Sequence, residues 1–224
     1  MRNNYNKIAF VYDSLSRLIF AKAQMNAQTV LLPFINNGDR LLIVGGGTGW
    51  ILDEITKIHQ SGLEIVYVES SSKMLSRSKK RQFGLNKITF IQQAVEDTQL
   101  NQNFSVIMTG FFFDNFDLRK AESIFIYLDL LLNSDGRWLF IDFKSNQGKN
   151  YIWQYVMLKL MYFFFRLICK IEATHLIDMT SIFKHANYKS IFELSSYGNF
   201  IHSTAYEKNI SNADGNELSR VLNS

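Results

Sequence analysis

Five residues near the first quarter of the chain have the right types and spacing to hold a charged small molecule. The apolar run Leu41-Leu42-Ile43-Val44 leads straight into Gly45-Gly46-Gly47-Thr48-Gly49. Glycines let backbone approach a ligand closely, and loop amides beside a helix start present positive dipole to a carboxylate or phosphate. A dinucleotide loop, G-x-G-x-x-G, needs its sixth residue to be glycine so that helix and strand can touch. Counting from Gly45, that residue is Trp50, and the spacing here is G-x-G-x-G. No Lys-Ser or Lys-Thr follows the loop, which removes a P-loop reading. Glu69 ends the next apolar run, twenty residues after Gly49. A carboxylate there can accept hydrogen bonds from both ribose hydroxyls of an adenosine. Its alternative use is to compensate the dipole of the following helix.

Proton acceptors are fewer. Asp114, Asp142, His175 and His202 are the candidates for a general base. Asp142 ends one apolar run and Asp114 opens the helical pattern after another, where capping and solvent contact are alternative roles. His175 and His202 each have a structural alternative, and His59 and His185 fall at expected helix ends, where the dipole explains them. The lone Cys169 sits in an apolar run without spaced partners, so no metal site is expected.

The elements that position these residues follow a βα rhythm. Strands are expected at residues 41–44, 65–68, 88–91, 105–109 and 138–142, with helices over 48–60, from Ser71 or Ser72 to about 82, and over 117–133. Ser134-Asp135-Gly136 reads as the turn that ends the last helix. Thereafter the pattern changes: residues 151–171 form a long apolar helix, and 190–196 pairs with 200–207 as a hairpin around Tyr197-Gly198-Asn199. The expected fold is α/β, a doubly wound sheet with helical cap elements and a C-terminal antiparallel hairpin. With 224 residues and 47% apolar content the chain fits one domain.

Composition excludes other classes. A net charge of +4 is mild, and Lys73, Arg77, Lys79, Lys80 and Arg81 on one helix read as a solvated face, with RNA binding as the alternative. The first twelve residues lack the order of a secretory signal, so a cytoplasmic protein is expected. Residues 151–171 carry Trp153, Tyr155, Tyr162, Phe163, Phe164 and Phe165, interrupted by Gln154, Lys159, Arg166 and Lys170. The polar positions fall along one stripe, giving an amphipathic helix rather than a membrane span. It would cap a pocket, pack in the core, dimerise, or touch a membrane surface.

On the loop and Glu69, the chain resembles the class I S-adenosylmethionine-dependent methyltransferases, in the small-molecule branch of the ubiquinone and menaquinone C-methyltransferases. The resemblance covers residues 5–207. It implies a Rossmann-like seven-stranded sheet with the last strand antiparallel, and S-adenosyl-L-methionine lying across the ends of the first strands. Gly45, Gly46, Gly47, Thr48 and Gly49 match the first motif of the family. Tyr67-Val68-Glu69 with Ser70 to Met74 resembles the second, which would bring Met74 to the adenine. The segment Gln93-Ala94-Val95-Glu96-Asp97 is similar to one that normally carries an adenine-binding Asp, here Ala94, so the resemblance gives adenine recognition to the Val95 amide and Glu96. Thr109, with Phe111, Phe112 and Phe113 behind it, stands where the family lines the passage from methyl group to acceptor. The Pro-Pro-Tyr motif of enzymes that methylate base or glutamine nitrogens is missing. Tyr12 would cover the sulfonium and Lys22 would reach the methionine carboxylate.

The expected organisation is a single domain over 1–207, with a lid at 1–37, a cofactor core at 40–142, a helical cap at 149–187, a closing hairpin at 190–207 and a loose tail at 208–224. The expected activity is methyl transfer to a hydrophobic, aromatic or polyketide-like small molecule bound near Phe111, Phe112 and Tyr155. RNA methylation and a non-catalytic cofactor-binding scaffold are the rival readings. No nucleic-acid partner or stable membrane insertion is expected, and the protein would be a monomer or homodimer.

Overall fold

The computed structural model describes residues 21–143, 177–196 and 199–209. They form one seven-stranded sheet flanked by helices. The strands are β1 (Arg40–Val44), β2 (Glu64–Val68), β3 (Lys87–Ile91), β4 (Phe104–Gly110), β5 (Leu132–Phe143), β6 (Tyr188–Ser196) and β7 (Ile201–Lys208). The helices are α1 (Ala21–Thr29), α2 (Trp50–Ile58), α3 (Ser72–Ser78), α4 (Leu118–Leu131) and α5 (Met179–His185). Sheet order is β3-β2-β1-β4-β5-β7-β6. The first five strands run parallel, and β7 lies antiparallel between β5 and β6. This is the Rossmann-like arrangement expected, closed by the expected hairpin. After β3 the chain returns to the other side of β1, so a crevice opens between the ends of β1 and β4.

The central strands are apolar on both faces because helices cover both. Period-two alternation sends Leu41, Ile43, Tyr67, Met108 and Ile141 to the layer shared with α1, α2 and α3. Leu42, Val44, Val68, Trp138 and Phe140 face α4 and α5 instead. Trp138 centres that second layer: its ring stacks on Phe125 at 5.0 Å, and its indole N–H donates to Thr109 Oγ1 at 2.9 Å. Helix starts follow local chemistry. Ser71 accepts from the Met74 amide at 3.3 Å to cap α3, and Asp117 accepts from the Lys120 amide at 2.9 Å to cap α4.

Three local expectations are corrected. The α3 helix ends at Ser78, because the Gln82 amide is drawn to Asp53 Oδ1 at 2.8 Å and the chain turns towards α2. Residues 134–136 do not stand between α4 and the next strand: β5 begins at buried Leu132, which pairs with Phe104, and the ladder shifts register before Val106. Asp114 does not open α4 but lies in a separate 3-10 turn, Phe113–Asn115. The expected helix at 151–171, with Tyr155, lies outside the described residues, as do Tyr12, His175, Cys169 and the side chain of Lys22. Among the described residues no helix is long and apolar enough to cross a membrane.

Helix α1 is tied to the far end of the chain. Ser203 Oγ on β7 donates to the Ala27 carbonyl at 2.6 Å, and both residues are buried. Arg137 donates to the Phe34 carbonyl at 2.6 Å and anchors the segment after α1. Ser203→Ala is expected to cost about 1 kcal/mol, the ordinary value for a lost buried hydrogen bond. Denaturant unfolding measures it, and an unchanged midpoint would show that this bond does not hold α1.

Candidate functional site

The glycine loop is shaped by what each glycine touches. Gly45, Gly47 and Gly49 adopt left-handed φ of 65°, 63° and 77°, a conformation that L side chains rarely take. A Cβ on Gly46 would sit 2.3 Å from the Tyr67 ring, and one on Gly49 would sit 2.7 Å from Ser78 Cα. Gly49 therefore supplies the close approach of α2 to α3 that Trp50 cannot. At Gly47 a Cβ would meet nothing within 4 Å, so this residue borders open space. Its carbonyl accepts from the Tyr67 hydroxyl at 3.1 Å. Arg81 Nε donates to the Thr48 carbonyl at 3.0 Å, and its guanidinium pairs with Asp53 at 3.2 Å. One member of the basic run thus braces the loop rather than facing solvent.

Glu69 fastens the loop from below. One carboxylate oxygen accepts from the Gly47 amide at 2.9 Å and the other from the Ser71 amide at 2.7 Å. Burial raises its carboxyl above the ordinary range, against the stabilising hydrogen bonds from Ser71, Gly47 and Ser70. A carboxylate offers about four lone-pair directions, and the amides of Gly47 and Ser71 take two of them, with Ser70 beside the rest.

Across β1 from Glu69, a pocket opens in the crevice between β1 and β4. Loop residues 45–48, Gln24, Gln28, Trp50, Met108, Gly110 and Phe111 border it. Phe111 is the strained residue of the site, a non-glycine at φ 53°. Three contacts hold it there: its amide donates to the Ile141 carbonyl at 2.7 Å, its carbonyl accepts from Asn115 Nδ2 at 3.0 Å, and its ring packs 4.7 Å from that of Phe143.

The other expected site residues divide. Thr109 is corrected: strand alternation turns its fully buried side chain to the opposite layer, where it accepts from Trp138. Phe112 packs against Phe113 and Phe116 and lies beneath Gly45, away from the pocket. Met74 and Val95 are core residues at 3% exposure, so neither offers side-chain surface for an adenine, while Glu96 pairs with Lys120 at 3.2 Å. Ser70 is exposed and follows Glu69 directly in the chain.

Asp114 and Asp142 do come together, but neither borders the pocket. Asp142 Oδ1 accepts from the Phe143 amide at 2.8 Å, and its carboxylate also receives the amides of Phe113 and Asp114. Asp114 Oδ1 accepts from Asn115 Nδ2 at 2.7 Å. Burial lifts Asp114 to about 7. Burial, then the charge of Asp114, holds Asp142 well above the carboxylate range. These carboxyls fix the turn that carries Phe111, and the expected solvent contact is corrected by their burial. His202 stands opposite Asp142 on β7, and Ser195 Oγ lies 3.3 Å from its Nε2.

Similarity to known proteins agrees with this geometry. Residues 42–140 match the family model described as a methyltransferase domain. The matched stretch is a little under half of the chain. It runs from β1 through most of β5 and contains the loop, Glu69 and the Phe111 turn. No curated protein matches the chain by sequence. Among solved structures, the magnesium protoporphyrin IX methyltransferase of Synechocystis PCC 6803 with bound S-adenosylhomocysteine aligns at TM-score 0.68 and 14% identity, covering 92% of this chain and 96% of that one. The 1,6-didemethyltoxoflavin N1-methyltransferase of Burkholderia thailandensis, also with S-adenosylhomocysteine, aligns at TM-score 0.62 and 11% identity, with 88% and 83% covered. The N-methyltransferase NodS of Bradyrhizobium japonicum, in complex with the same molecule, gives TM-score 0.63 and 10% identity, with 88% and 97% covered. At such identities these likenesses establish the fold alone.

Sequence reasoning missed Gln24, Gln28 and Arg81 as parts of the site. Gln24 and Gln28 are four apart on α1, a spacing that puts them on one helix face, but nothing local says which face meets the loop.

Two outcomes test the geometry. Phe111→Gly should be more stable than Phe111→Ala by about 1 kcal/mol, because both lack the ring and only glycine relaxes at positive φ. Equal unfolding free energies would remove the strain. For Asp114, the folded value lies above the unfolded one, so its contribution is fully present below about 3.8 and lost as pH rises through about 7. Asp114→Asn should therefore gain on the parent as pH rises from 4 to 8, by at most about 1.4 kcal/mol per pH unit. Parallel stability curves for the two proteins would overturn the assignment.

Proposed function

We propose that the chain transfers a methyl group from S-adenosyl-L-methionine to a hydrophobic, aromatic or polyketide-like small molecule. The observation that carries this reading is the open space over Gly47, a residue whose amide is bonded to buried Glu69 and which borders the β1/β4 crevice. The residues fit the cofactor. Glu69 would accept the ribose hydroxyls in place of its Ser70 contacts, and Gly47 leaves the loop uncovered for the arm beyond. The solved structures of the same fold that hold S-adenosylhomocysteine support this choice.

When bound, the cofactor supplies an electrophilic methyl group. The protein's part is alignment and a site shaped around the departing positive charge. Phe111 stands at the acceptor side of the crevice, its ring held by the backbone contacts described above, and Met108 and Trp50 complete an apolar surround. An aromatic face beside a sulfonium is favourable electrostatically and excludes water from the line of transfer. Asp142 and Asp114 serve as positioning groups, since they set the Phe111 turn. The anchoring of Arg81 to Thr48 and Asp53 takes one cation out of the basic face, which weighs against an RNA acceptor.

Calorimetry tests the cofactor: S-adenosylhomocysteine should bind and NAD should not. Gly47→Val should abolish binding by filling the open space, and Glu69→Ala should weaken it by about 1.5–3 kcal/mol. Unchanged affinity in both variants overturns the reading. With an acceptor found by screening lipophilic compounds, Phe111→Ala should raise the acceptor KM and leave cofactor affinity nearly intact. Methylation of RNA in preference to every lipophilic acceptor would overturn the substrate class.

A further inference from the structure

The crevice between β1 and β4 has an unusual chemical lining for a site that would receive a zwitterion. A ligand with its ribose on Glu69, at the end of β2, must cross the glycine loop to reach the crevice on the far side of β1. For S-adenosylmethionine the arm that crosses ends in an ammonium and a carboxylate. Yet the described lining contains no Lys, Arg, Asp or Glu, and its polar side chains are Gln24, Gln28 and Thr48.

We propose that Gln28, with Gln24 one turn before it, receives the amino-acid arm of the cofactor through neutral amides, an inference that rests on the cofactor assignment above. The primary amide suits a zwitterion, because its NH2 donates to the carboxylate and its oxygen accepts from the ammonium. Two residues four apart on one helix face present both functions twice. The Gln28 amide also has a definite place. Its Cδ and Oε1 lie 3.0 Å from where a Cβ on Gly110 would stand, so it rests against the end of β4 at the bottom of the crevice. Gly110 is not among the residues of positive φ, so close approach rather than backbone conformation is what makes glycine fit there. Neither glutamine side chain takes part in the hydrogen bonds found among the described residues, which leaves both amides available to a ligand. The backbone beneath them is fixed, since the neighbouring Ala27 is fully buried and its carbonyl is bonded to Ser203. Gln28 is thus a specificity residue for the arm rather than for the nucleoside.

The test compares S-adenosylhomocysteine with 5′-methylthioadenosine, which keeps the adenosine and the thioether but lacks the amino-acid arm. By calorimetry, Gln28→Ala should weaken S-adenosylhomocysteine about tenfold, as expected for a lost hydrogen bond to a charged group, and change 5′-methylthioadenosine less than twofold. Gly110→Ala, which keeps the amide but pushes it aside, should give the same selective loss. Melting temperatures of the ligand-free variants, close to that of the parent, show that folding is not the cause. Equal losses for both ligands, or no loss for either, overturn the proposal. In that case a charged residue such as Lys22 becomes the reader, and affinity for S-adenosylhomocysteine should fall steeply with salt. A parent protein that binds neither ligand fails differently: it removes the cofactor reading itself, and this inference with it.

Discussion

A carboxylate buried under its own loop organises this site. Glu69 accepts one amide from the glycine loop and one from the start of α3, so it fixes the distance between the two connections that follow β1 and β2. Burying a carboxylate is costly unless its oxygens are met by donors, and backbone amides are donors that only proline removes. The loop conformation follows from that demand. Gly47 gives its amide to Glu69 at a positive φ, and the outer side of the loop at this residue is open. Tyr67 and Arg81 then hold the carbonyls of Gly47 and Thr48, so the loop is tied through both of its polar groups.

The same interaction explains why glycine is demanded at positions that do different work. Gly46 makes room for the ring of Tyr67, Gly49 for the backbone of α3, and Gly45 for Phe112, whose ring would lie 2.7 Å from its Cβ. Only Gly47 is a glycine for the sake of outward space. A loop that reads as one motif is therefore four separate packing solutions around a single carboxylate. Phe111 extends the pattern to β4, where a strained backbone is over-determined by Ile141, Asn115 and the two buried aspartates.

Much of this was legible in the residues because it is local. Strand runs of apolar residues, the G-x-G-x-G spacing and the carboxylate at the end of the second run are all contained within about thirty positions, and all formed as expected. What escaped depends on pairings between distant segments. Whether Thr109 or its neighbours face the crevice is decided by the parity of β4 against β1, so a one-residue difference exchanged Thr109 for Met108 and Gly110. Phe111 and Phe112 are chemically identical, and only the φ of Phe111 sends one ring to the crevice and the other beneath Gly45. Gln24 and Gln28 belong to a helix whose orientation is set by a serine 176 residues away from Ala27. The turn expected at 134–136 failed because Leu132 had a strand partner in Phe104 that local turn propensity does not register.

The antiparallel strand has a consequence for how the molecule is made. β7 is the last strand among the described residues, yet it sits inside the sheet and β6 reaches the sheet only through it. As a nascent chain leaves the ribosome, β1 to β5 can pair in order, but β6 must wait beside an open edge until β7 emerges. Helix α1, among the first of these elements to be synthesised, waits equally long for Ser203. The crevice that α1 borders is therefore completed by the closing hairpin, and a chain stalled or cut before residue 201 would carry a folded glycine loop without one wall of its pocket fixed in place.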